Sequence, residues 1–129
     1  MTQTQKDFNV RCAKFLGWDF FYDAGFCYEV TDHDGNKYET LYELKFHSDW
    51  NWLQEVKAKI CSLEIVDEFE IKYDSVSKGF YGHISPSYKD SFEYFTTGTL
   101  AIGTDAYTTE MEATTDIINQ FLTWYETHV

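Results

Sequence analysis

The chain has 129 residues, 22 acids against 10 bases for a formal net charge of −12, and an aromatic content of 19%. That length fits one domain able to bury roughly two thirds of its unfolded surface without a disulfide or metal staple. The charge opposes direct contact with nucleic acid or an anionic membrane and favours a basic partner or plain solubility.

In chain order, residues 4–16, TQKDFNVRCAKFL, set Phe8, Cys12, Phe15 and Leu16 on one face at helical spacing, and Gly17 can close the helix. Tyr28/Val30 and Tyr38/Thr40/Tyr42 then alternate on either side of Asp34-Gly35, a hairpin signature. The stretch FHSDWNWLQEV, 46–56, groups a histidine, a serine, an aspartate and two tryptophans, and raises the question of a reactive site. Ser48 or Asp49 can accept the free N–H groups of a first helical turn, and an acid there sits at the positive end of the dipole. Leu53, Val56, Lys57 and Ile60 recur at three and four, with Trp52 broadening the stripe. The stretch therefore reads as the polar entrance of an amphipathic helix over 49–62; His47 and Asp49 have no third catalytic partner nearby in sequence.

FEIKYDSVSKGFYGHISPS, 69–87, reads as a second hairpin turning near Lys78-Gly79. Phe69, Ile71 and Tyr73 point one way, while Glu68, Glu70, Lys72 and Asp74 point the other. SFEYFTTGTLAIGTD, 91–105, adds one or two strands broken near Gly98. Thr109 with Glu112 forms a capping-box pattern, and Met111, Thr115, Ile118, Phe121, Leu122 and Tyr125 share one face of a helix over 109–127. The order predicts a single α+β domain over 1–129, a largely antiparallel sheet of about five strands covered by three helices in a sandwich-like arrangement.

Candidate chemistry is sparse. Asp32, Asp34, Asn36 and Glu43 occupy calcium-loop positions one, three, five and twelve, but Lys37 stands where the turn needs glycine and Glu39 where an apolar residue belongs. A hairpin tip is the better reading. Glu70-Ile71-Lys72 matches the E-x-K half of a metal-dependent nuclease site, with Glu64, Asp67 and Glu68 nearby, although strand alternation alone explains such charges. GTLAIGTD, 98–105, has the glycines of a phosphate loop without its lysine. His33, His47, His83 and His128 show no metal-ligand spacing with each other or with Cys12, Cys27 and Cys61. No catalytic residue, metal ligand or cofactor is assigned, and the chain reads as a non-enzyme. Three widely spaced cysteines and a polar N-terminus lacking a signal peptide point to free, mostly buried thiols in a reducing cytoplasmic setting.

Basic residues number four in 1–40, five in 41–80 and one in 81–129; from Asp90 onward there are seven acids and no Lys or Arg. Ten tyrosines exceed what the core hides, so some in 73–94 and at Tyr107 are expected on the surface beside acids, a combination suited to protein contact.

FLGW at 15–18, FHSDWNWLQEVKAKI at 46–60 and ATTDIINQFLTWY at 113–125 together resemble small uncharacterised phage and prophage proteins, similar to those grouped under a phage sandwich domain of helix, sheet and helix layers. The resemblance covers about a quarter of the chain and carries no catalytic residues. It implies an accessory protein of a phage or mobile element. Such a protein would bind a partner with a basic surface, for example inhibiting a host-defence or nucleic-acid-handling protein by filling a groove meant for phosphates. The residues expected at that contact are Glu93, Tyr94, Asp105, Tyr107, Glu110 and Glu112. The alternatives are a homo-oligomer joined through exposed tyrosines and a metal-dependent nuclease-like enzyme using Glu70 and Lys72.

Overall fold

A computed structural model describes residues 1–39, 41–76, 78–87, 102–103 and 107–128. Within them lie three α-helices, one short 3-10 turn and six strands, paired antiparallel in two three-stranded sheets. The α+β class, the antiparallel pairing and the three helices are as the sequence predicts. The strands, however, divide between two sheets rather than joining one. The chain forms two compact units, 1–56 and 57–129.

The first unit opens with α1 (Gln3–Phe15), started by a reciprocal capping box between Thr2 and Gln5 and closed by Leu16 and Gly17, the latter at φ 79°. Its inward face is Phe8, Asn9, Cys12 and Ala13. The strand β1 (Asp19–Asp23) was not read from the sequence; it pairs with β2 (Phe26–Thr31) across a turn at Ala24 and Gly25, whose φ values are 52° and 84°. Two positive φ values in a two-residue loop match the twist of the flanking strands. The Asp34-Gly35 hairpin is present, with β3 (Lys37–Tyr38) on β2 and Gly35 at φ 84°. A 3-10 turn (Leu41–Glu43) leads toward α2 (Trp50–Ser62), which runs across the boundary of the two units. Trp18, Tyr38, Phe46 and Trp52 form one ring cluster with centroid separations of 5.1–5.8 Å. Packing thus takes up part of the aromatic content, while Tyr22, Tyr42 and Tyr73 remain exposed, Tyr73 within the stretch where the sequence predicts surface tyrosine.

In the second unit β4 (Val66–Asp74), β5 (Gly79–Pro86) and β6 (Ile102–Gly103) form a sheet with β5 in the middle. The helix α3 (Glu110–His128) packs on it through Ala113, Thr114, Ile117, Ile118, Phe121 and Leu122. The buried stripe is rotated from the predicted one: Ala113 and Ile117 face inward, and Met111, Thr115 and Tyr125 are half-buried. Gly82 leaves room for its strand neighbour: a Cβ there would stand 2.6 Å from Ile71 Cδ1, while Ile117 Cγ2 of α3 would lie at an ordinary contact distance of 3.4 Å.

All three cysteines are free, but only Cys12 is buried; Cys27 is half-buried and Cys61 exposed, which corrects the expectation of mostly buried thiols. Burial pushes the Cys12 thiol up. Among the described residues no helix is long and apolar enough to cross a membrane.

Candidate metal centre

The strand β4 alternates apolar and charged residues, and an antiparallel partner turns that alternation into two chemically distinct sheet faces. The register sets Phe69 against Ile84, Ile71 against Gly82 and Tyr73 against Phe80 on one face. The other carries Glu68 against Ser85, Glu70 against His83 and Lys72 against Tyr81. One extra residue on β4 between Val66 and Glu68, a bulge at Asp67, brings Glu68 into this register. On the far side His83 pairs with Gly103, which brings no side chain of its own beside the imidazole.

Glu68, Glu70 and His83 thereby present one ligand atom each, all within 4.8 Å of one another. His83 Nε2 lies 2.9 Å from Glu68 Oε1, and Lys72 Nζ lies 2.8 Å from Glu70 Oε2. Glu70 Oε2 is shielded from solvent and makes no hydrogen bond of good angle, so the Lys72 ion pair is its compensation. The Lys72 ammonium first, and a contact with Glu68 second, hold the Glu70 carboxyl below its ordinary value; Glu70 in turn raises Lys72. Donor atoms around one first-row ion are about 3 Å apart, so the triad needs a contraction of roughly 1–2 Å to close on a cation. Side chains that are half-exposed can make that adjustment by small rotations.

The other sequence candidates fall elsewhere. Asp32 is occupied by its own loop: its carboxylate accepts from the Asp34 and Asn36 amides at 2.9 Å, the Asn36 side chain at 3.0 Å and the Tyr38 hydroxyl at 3.1 Å. Burial acts to raise Asp32, but these bonds outweigh it and lower its pKa; burial and the Asp32 bond push Tyr38 up to about 12. Glu43 accepts from the Glu39 amide at 2.6 Å, so these acids build a hairpin and its return. Asp49 caps α2 by accepting from the Asn51 and Trp52 amides at 2.9 and 3.3 Å, as the helix-entrance reading requires. His33 donates to the Leu16 carbonyl at 2.6 Å.

Of the residues expected at a partner contact, Glu93, Tyr94 and Asp105 lie outside the described residues. Tyr107 is half-buried, bridges the Phe80 backbone in both directions and donates its hydroxyl to Asp116 at 2.9 Å. Glu110 and Glu112 are exposed in the first turn of α3, where Glu112 accepts from the Thr108 and Thr109 hydroxyls, each at 2.9 Å.

The residue that sequence reasoning passed over is His83. A tight two-residue turn at Lys78-Gly79 would set Ser87, not His83, opposite Glu70. The observed register instead pairs Asp74 with Gly79, which puts His83 opposite Glu70, and Lys78 stands at φ 53°. Compared with known protein families, curated proteins and solved structures, the chain matches none.

Proposed function

We propose that the chain is a divalent-metal protein of nuclease-like chemistry, working from the charged face of β4 and β5. Glu68, Glu70 and His83 hold the ion, and the observation that carries this reading is the convergence of their ligand atoms within 4.8 Å. A set of two carboxylates and one imidazole suits Mn²⁺, Zn²⁺ or Co²⁺ better than Ca²⁺, which prefers oxygen alone. Three protein donors leave positions open for water and substrate. Bound there, the ion would polarise a phosphoryl oxygen and lower the pKa of a coordinated water, while Lys72 supplies a permanent positive charge near the reacting group. The net charge of −12 opposes a long polyanion, which narrows the substrate to a small phosphate ester or a short strand.

Hydrolysis of bis(4-nitrophenyl) phosphate tests this. Mn²⁺-dependent release of nitrophenol is expected from the wild type and a loss of at least about tenfold from Glu70→Gln and His83→Ala, since each removes a metal ligand. Equal rates in all three proteins would contradict it.

A second reading, an acidic phage-type accessory protein that binds a basic partner surface, is supported by the exposure of Glu110 and Glu112 at the start of α3.

A further inference from the structure

The ion pair of Lys72 with Glu70 has a consequence for what the centre binds besides a metal. Before an ion arrives, Glu68, Glu70 and Lys72 sum to one negative charge, and an anion is repelled. A divalent ion reverses the sign, leaving one net positive charge with open coordination positions. The same ion contends with Lys72 for Glu70: Nζ lies 2.8 Å from Oε2, and that oxygen is shielded from solvent. An ion drawing on the same carboxylate repels the ammonium and weakens its hold there.

Among the described residues of β4 and β5, Glu68 also attracts the ammonium but belongs to the ion, and few other groups compete for it once displaced. Asp74, next on the same face, accepts from the Val76 amide at 3.0 Å. Neither β4 nor β5 has a second Lys or Arg, so Lys72 is their single permanent cation. Across the register stand Tyr81 and, one pair along, His83. A tetrahedral oxyanion could place one oxygen on the metal and another on the Lys72 ammonium, a division suited to a phosphate group.

We infer that Lys72 is the anion-binding arm of this centre, held on Glu70 until a divalent ion takes that carboxylate, so that metal and a phosphate diester bind cooperatively. The inference rests on the metal reading above and deepens it. Because linkage is reciprocal, the anion must tighten the metal by the factor with which the metal tightens the anion.

The test is Mn²⁺ titration followed by the electron paramagnetic resonance of the free ion, with and without dimethyl phosphate, a diester that coordinates free Mn²⁺ weakly. Dimethyl phosphate should tighten Mn²⁺ binding to the wild type by about threefold or more, as expected for one added charge-assisted contact. Lys72→Met should bind Mn²⁺ alone roughly two- to fivefold more tightly, having lost the competing ammonium, and should show no response to the diester. Lys72→Arg should regain the response. Tightening by the diester that is absent from the wild type, or equal in Lys72→Met, overturns the role of Lys72 while leaving the metal centre standing. A wild type that leaves all Mn²⁺ free removes the metal centre and this coupling together.

Discussion

Asn9 has no solvent exposure, and its carboxamide ties α1 to the segment that leads into α2. Its Nδ2 donates to the Leu44 carbonyl at 3.0 Å and to His47 Nδ1 at 2.8 Å, while its Oδ1 accepts from the His47 amide at 2.8 Å. The imidazole is therefore held with a lone pair on Nδ1, and burial, followed by the nearby amino-terminal charge, lowers the His47 pKa. An unfolded chain restores the ordinary histidine value of 6.5. Protonation thus favours unfolding: the stabilisation is complete above the ordinary value and is lost as pH falls through the lower folded one. Between about pH 7 and 5 the urea midpoint should drop more steeply for the wild type than for His47→Asn, which keeps an acceptor but cannot titrate. Parallel slopes in the two proteins would contradict this role. The Asp49 cap was legible because capping is local. The Asn9 clamp was not, because its partners come from 35 and 38 residues away.

At the scale of elements, helices and turns carry their own signals. Thr109 caps α3, accepting from the Glu112 amide at 3.1 Å, as the sequence pattern predicts. Thr109→Ala should cost about 1 kcal/mol in chemical denaturation, and an unchanged midpoint would show that the cap contributes nothing. Because Glu112 belongs to this cap, Glu110→Gln is the cleaner probe of an acidic contact surface. The face of α3 was harder to read, because Ala113 and Thr114 look neutral in sequence yet are fully buried. The β4–β5 hairpin was legible as a hairpin but not in register. Shifting its turn by two residues changes which side chain faces Glu70, and with it whether the strand is an ordinary charged face or a ligand set.

At the scale of the whole molecule, composition gave the acidity but not its use. A net charge of −12 raises the local concentration of cations within about a Debye length of the surface, roughly 8 Å at physiological salt. Charge that argues against a long nucleic acid therefore argues for a cation, and its effect should weaken as salt rises. The division of strands into two sheets escaped the sequence because local patterns mark strands but not which hairpins join one sheet, and Glu68, Glu70 and His83 become one site only through the register of the β4–β5 hairpin. The most direct measurement is calorimetric titration of Zn²⁺ and Mn²⁺ into the wild type, Glu70→Gln and His83→Ala. One ion per chain is predicted for the wild type, with affinity weakened by about tenfold or more in each variant. No heat from either ion, or equal affinity in His83→Ala, would contradict a metal centre on β4 and β5.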